Sequence, residues 1–187
     1  MGNSPYDFVM NVTQKDFKKL ENKAVHRTFS AEDFEHFILN LKSVYNEFES
    51  LENLFLLKED EENYYHAIER FRTLFLGEIP HRSHKHVSSP YKNSASKRLV
   101  MFLRWMVRDD KKGVDFGIWK NVEQKYLSIP LDVHTANISR KLGILNRTQN
   151  DWKAVEELDK IIRKYNLEDP AIYDYALFGI GVSKEFL

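Results

Sequence analysis

Apolar side chains in this chain return every three or four residues, and that periodicity restricts the fold more than any other property. Phe34, Phe37, Ile38, Leu41, Val44, Tyr45 and Phe48 follow i, i+3, i+4, i+7 steps, which line up on one face of a helix. Ser30 with Asp33 three residues on forms a capping-box-like start for it. A second helix is expected from about Glu61 to Leu76, with Tyr65, Ile68, Phe71, Leu74 and Phe75 inward and Gly77 placed to end it. A third spans about Ser94 to Arg108, and a fourth follows Asp132 and closes at Gly143. Thr148 with Asp151 opens a fifth, whose face is Trp152, Val155, Leu158, Ile162 and Tyr165. Asp169-Pro170 reads as an N-cap and first-turn proline of a last helix through Phe178. No stretch alternates with period two for long enough to specify a strand. The expected fold is all-α, a single domain over 1–187, with loops at 78–93 and 109–131.

Composition excludes several classes. Hydrophobic residues at 42% and charged ones at 30% suit a globular core with a solvated surface. With no cysteine, disulfide scaffolds and thiolate-ligated metal sites are excluded, and a reducing compartment is accommodated. No apolar run approaches the roughly 20 residues of a membrane helix, and Met1-Gly-Asn-Ser does not begin a secretory signal. A cytoplasmic protein with no membrane partner is expected.

The 28 Lys and Arg balance 28 Asp and Glu, so the formal net charge is zero. That sum hides a segregation. From Ile79 to Arg108 there is no acidic residue, but seven Lys or Arg (Arg82, Lys85, Lys92, Lys97, Arg98, Arg104 and Arg108) and three His. Such a stretch is either a solvated face or a patch that gathers phosphate. On a helix, Lys97, Arg104 and Arg108 fall within about 40° of one another. Leu99, Val100, Phe102, Leu103, Met106 and Val107 make the same helix apolar over most of its circumference, so the cationic stripe is expected to line a cleft. A cation in the first turn opposes the helix dipole. Together with Arg98 nearby, that position favours the neutral amine an amine nucleophile needs. The alternative is that Lys97 is an ordinary surface lysine. Asp132 is placed to cap the fourth helix, which would aim its carboxylate rigidly and keep it ionised. His134, Asn137 and Lys141 form one polar face of that helix, for phosphate or for solvent. His81, His84 and His86 lack an evident further ligand, so no metal or other cofactor is expected.

Leu131-Asp132-Val133-His134-Thr135 followed by Arg140-Lys141-Leu142-Gly143 resembles the segment after the hairpin in helix-hairpin-helix DNA glycosylases. The order of the downstream amphipathic helix Val155–Tyr165 and of Tyr173-Asp174-Tyr175-Ala176-Leu177-Phe178-Gly179 is similar too, so the resemblance covers about 94–181. Over nearly the whole chain, Phe102-Leu-Arg-Trp-Met-Val-Arg, Val114-Asp-Phe-Gly-Ile-Trp, His81-Arg82 and Lys85-His86 resemble a bacterial family of unknown function, regarded as distant glycosylase relatives. Members of that family carry further helices upstream, which makes an N-terminally shortened form an expectation.

The resemblance implies a glycosylase-type helical bundle, with Lys97 as the Schiff-base amine and Asp132 as the assisting carboxylate. It implies damaged or abasic duplex DNA as partner, with the base flipped into a pocket lined by aromatics such as Trp105, Phe116 or Trp119. Arg82, Lys85, Lys92, Arg98, Arg104, Arg108 and His134 would contact the nucleic acid. A module that binds DNA or RNA without chemistry is the alternative. Two departures stand out. The hairpin pattern Leu-Pro-Gly-Val-Gly-X-Lys is met here by Tyr91-Lys-Asn-Ser-Ala-Ser-Lys97, without glycine, and residues 109–126 form an insertion.

Overall fold

The computed structural model describes residues 3–20 and 24–183, so Met1 and Gly2 of the amino-terminal reading lie outside it. The described residues are predominantly helical, as the periodicity requires, with eight α-helices: α1 Pro5–Asn11, α2 Gln14–Phe17, α3 Ala31–Phe48, α4 Tyr65–Leu76, α5 Lys97–Val107, α6 Val133–Lys141, α7 Trp152–Ile162 and α8 Asp174–Ser183. The departure from an all-α pattern is a small antiparallel pair, β1 Ala24–His26 with β2 Phe29–Ser30. Strands of three and two residues are too short to show a period of two in the sequence.

Chain contacts divide the molecule into two compact units, residues 1–54 with 70–88 and residues 55–69 with 89–187. In the first, Val9, Val12, Phe17 and Ile38 form a buried cluster onto which Phe8, Phe34, Leu39, Leu41 and Tyr45 pack. The start of α3 is fixed reciprocally. The Asp33 backbone N–H donates to Ser30 Oγ at 3.2 Å, and the Ser30 N–H donates to Asp33 Oδ2 at 2.9 Å. A 3₁₀ turn, Arg82–His86, packs against α3 and is capped by His81, whose ring nitrogen accepts from Ser83 N–H at 3.2 Å.

The second unit carries α5 to α8. Val100, Leu103 and Val107 of α5 are buried, as are Trp152, Ala154, Val155, Leu158 and Ile162 of α7. Asp151 caps α7 through Ala154 N–H at 3.1 Å. Helix α6 packs closely on α8, where a Cβ added to Gly181 would meet the Cβ of His134 at 2.7 Å.

Several features differ from expectation. Helix α5 starts at Lys97 rather than Ser94, and α7 starts one turn after Thr148. Pro170–Tyr173 forms a 3₁₀ turn ahead of α8 rather than its first turn. Helix α4 begins at Tyr65 rather than near Glu61, because Glu61 accepts from Lys58 N–H in a separate turn and Asn63 Oδ1 takes the Tyr65 N–H at 2.9 Å. Leu74, expected inward on α4, is exposed. Helix α7 ends at Ile162, which leaves Tyr165 off its apolar face and exposed.

Candidate functional site

Lys97 and Asp132, the two residues the resemblance assigns to chemistry, meet in the second unit. Lys97 is the first residue of α5, preceded by Ser96 in the left-handed conformation (φ 45°). Asp132 is the extended N-cap of α6. Its Oδ1 accepts from Thr135 N–H at 2.8 Å, and its Oδ2 lies 3.3 Å from Lys97 Nζ. Burial works against the Asp132 carboxylate, but the Thr135 N–H and the Lys97 ammonium outweigh it and hold its pKa below the usual range. The lysine side chain is 47% exposed and the aspartate side chain 10%. An amine thus stands at the surface with a recessed, ionised carboxylate in reach of its proton. This is the donor set of amine nucleophilic catalysis assisted by a carboxylate.

The turn that delivers Lys97 is held without glycine. Asn93 takes the left-handed conformation (φ 60°) where the hairpin pattern has its first glycine, a substitution to which asparagine is suited. Its Nδ2 donates to Asp151 Oδ2 at 2.8 Å, and its carbonyl accepts from Trp152 N–H at 3.2 Å. Arg147 bonds Asp151 through two nitrogens at 2.6 and 2.5 Å, and mainly for that reason the Asp151 pKa falls to about 2. The turn is therefore clamped to the start of α7.

Arg104 and Arg108 correct the sequence expectation. Both are buried and engaged by carboxylates. Arg104 donates to Asp115 at 3.1 Å and to Asp174, and Arg108 donates to Asp115 at 2.8 Å and to Asp169 at 2.9 Å. Tyr175 adds a hydroxyl bond to Asp115 at 2.8 Å and sets its ring 4.6 Å from the Arg104 guanidinium carbon. Burial opposes the Arg108 charge, but Asp169 and Asp115 more than offset it and raise its pKa. Burial pushes the Asp174 pKa up to about 6 against the pull of Arg104, and neighbouring Asp132 pushes the same way. Thr135 joins this network to the Lys97–Asp132 pair, for its hydroxyl donates to Asp174 Oδ1 at 3.4 Å and its N–H to Asp132. Sequence reading marks Asp169 only as a helix cap and assigns Asp115 and Asp174 no role, because no periodicity or motif marks them as partners of these arginines.

The remaining expected residues are dispersed. Lys92 and Arg98 are exposed near the start of α5. His134 is occupied structurally, with Nδ1 3.1 Å from the Gly181 carbonyl and its ring edge-on to Phe178 at 5.7 Å. It borders a hollow of about 340 Å³ with Asn137 and Lys141. Trp119 is core, packed at 5.5 Å from Phe55 and 5.4 Å from Phe102, whereas Trp105 and Phe116 are exposed.

Arg82 and Lys85 belong to the first unit. With Arg27, Thr28 and Ser30 they line a cavity of about 550 Å³, but Arg82 also lies 3.5 Å from both Glu32 and Asp33. Beside it His36 stacks on His81 at 4.0 Å and lies 6.0 Å from His84. Burial lowers the pKa of both His36 and His84. Among the described residues no three His, Asp or Glu side chains are arranged to hold a metal ion. No described helix is long and apolar enough to cross a membrane.

A helical protein with an amine–carboxylate pair at the starts of two helices is the class these features define. The chain belongs to the family described as "Protein of unknown function (DUF2400)", whose model matches residues 1–183. No curated protein and no solved structure matches it.

Proposed function

We propose that this protein is a DNA base-excision glycosylase with abasic-site lyase activity, a cytoplasmic repair enzyme whose second unit is a variant of the helix-hairpin-helix glycosylase bundle. One observation carries the reading. Lys97 Nζ and Asp132 Oδ2, 35 residues apart in sequence, meet at 3.3 Å at the starts of α5 and α6. These are the two residues that the resemblance assigns to the chemistry. In this scheme a damaged nucleotide leaves the stack, and Asp132 stabilises positive charge developing at its sugar. Asp132 also takes a proton from Lys97. The freed amine attacks C1′ as the bond to the base breaks, and the base takes the proton held by Asp132. Transfer of an amine proton to O4′ then opens the C1′–O4′ bond, giving an imine that permits β-elimination of the strand. Lys92 and Arg98 supply phosphate contacts beside the pair.

A second reading, a DNA- or RNA-binding module without chemistry, draws support from Asp132 itself, since a helix N-cap alone accounts for its position. Borohydride trapping on abasic-site DNA separates the two. The enzyme reading predicts a covalent complex that Lys97→Ala abolishes and Asp132→Asn slows. Binding without any trapped species would sink the enzyme and leave the module.

A further inference from the structure

Between α5 and α6, residues 114–119 alternate strictly between solvent and interior. Val114, Phe116 and Ile118 are 49%, 55% and 60% exposed, while Asp115, Gly117 and Trp119 point in and are buried. The polarity is the reverse of an ordinary amphipathic strand, because a carboxylate is inside and three large apolar side chains are outside. Each inward position is accounted for. Asp115 closes the network with Arg104 and Arg108, Trp119 packs in the core, and Gly117 (φ 54°) lies where a Cβ would meet that of Asp109 at 2.5 Å.

The ribbon is also pinned along its backbone. Phe116 and Gly117 N–H groups donate to the Trp105 carbonyl at 2.8 and 3.2 Å, and Trp119 N–H donates to the Met106 carbonyl at 2.9 Å. It therefore has no freedom to turn its apolar side chains inward. Rigidly displayed apolar surface is the mark of a contact site.

The surroundings select the partner. Arg98 and Trp105 are seven residues apart on α5, so they share a face to within about 20° and lie about 10 Å apart along the axis. That face begins with exposed Arg98 and ends at exposed Trp105, whose carbonyl is bonded to the ribbon, while Lys97 lies about 100° round the helix from Arg98, paired with Asp132. Lys111, Lys112 and Lys120 border the ribbon against Asp109 and Asp110, with Lys111 paired to Asp109 at 2.5 Å. The surplus is positive, which favours a phosphate-bearing partner and opposes a second copy of the same patch. Aromatic rings need exposed base faces to stack upon, and a duplex hides them.

We infer that Phe116 and Trp105, flanked by Val114 and Ile118, form a stacking surface for unpaired bases of a single-stranded nucleic acid whose phosphates run toward Arg98. The inference rests on the nucleic-acid reading above and narrows its substrate to strands that are unpaired at this position.

The test is fluorescence anisotropy of a labelled short oligothymidylate titrated with the full chain, with a mixed-sequence duplex of equal length alongside. The single strand is expected to bind more tightly than the duplex. Phe116→Ala weakens single-strand binding about fivefold or more, Phe116→Leu behaves like the alanine variant, and Phe116→Trp retains binding, all with unchanged thermal midpoints. A leucine variant that binds as the parent does overturns stacking. Alanine and parent binding alike overturns the surface itself while leaving the nucleic-acid reading intact. A parent that self-associates, with Phe116→Ala breaking the association but not the binding, assigns the patch to a second copy and overturns the proposal. A parent that binds neither probe at low salt overturns the nucleic-acid reading and this inference with it.

Discussion

At the scale of single residues, Arg104 of α5 and Arg108 at its C-cap show how burial decides a role. A guanidinium inside a helical unit needs partners for its charge and its hydrogen bonds, and Asp115, Asp169 and Asp174 supply them. Removing one arginine strands buried carboxylates. Arg104→Ala is therefore expected to lose about 3–5 kcal/mol of folding stability in urea titration, and Arg104→Lys does not restore it because a single ammonium cannot reproduce the forked contacts. The sequence already contained half of this result, since the apolar circumference of 97–108 says that the helix is buried. The other half was not legible, because Asp169 and Asp174 lie 61 and 70 residues from their arginines and only the folded chain joins them.

A second consequence at this scale concerns pH. Asp159 is buried in α7, takes the Ser128 hydroxyl at 2.5 Å, and has its pKa pushed up to about 6 by burial. Asp174 is raised to about 6 in the same sense. Between about pH 4 and that value the folded chain keeps protons that the unfolded chain has released, so these groups make stability fall as pH rises through the window. Each contributes a slope of at most about 1.4 kcal/mol per pH unit. Asp159→Asn is expected to flatten the decline measured by urea unfolding at a series of pH values, and an unchanged slope would contradict the assignment.

At the scale of elements, capping chemistry was the most readable signal and the close approach of helices the least. The Ser30–Asp33 box, the Asp132 cap and the glycine ends at Gly77 (φ 67°) and Gly143 (φ 71°) occur where residue types alone put them, because each is settled within one turn of chain. Helix α7 instead starts one turn after Thr148, with Asp151 as its cap. The β1–β2 pair and the inside-out ribbon at 114–119 were not readable, the first for its brevity and the second because tertiary bonds invert its polarity. The α6–α8 contact depends on Gly181, which has no motif around it. Gly181→Ala forces a Cβ onto the His134 Cβ and is expected to cost about 1–3 kcal/mol, lowering the thermal midpoint. Gly179, two residues earlier in the same helix, has nothing within 4 Å of an added Cβ, and Gly179→Ala is expected to raise the midpoint by improving helix propensity.

At the scale of the whole molecule, zero net charge describes a chain that has divided its cations by task. Two of the seven in the acid-free stretch, Arg104 and Arg108, are neutralised inside the fold by aspartates from elsewhere. Arg82 and Lys85 line a cavity of the first unit, and Lys92, Lys97 and Arg98 remain exposed around the start of α5 in the second. The Lys97–Asp132 pair was foreseen from resemblance, not from periodicity or composition, and the structure gives it a distance, a cap and a buried support. Whether that pair performs chemistry is the central question, and it has a direct measurement. The intact chain is incubated with abasic-site DNA and borohydride, and the adduct is digested and weighed peptide by peptide. Schiff-base chemistry at Lys97 leaves a deoxyribose-derived mass on the peptide containing it, absent from Lys97→Ala. An adduct on any other lysine, or none from a chain that binds the DNA, would contradict it.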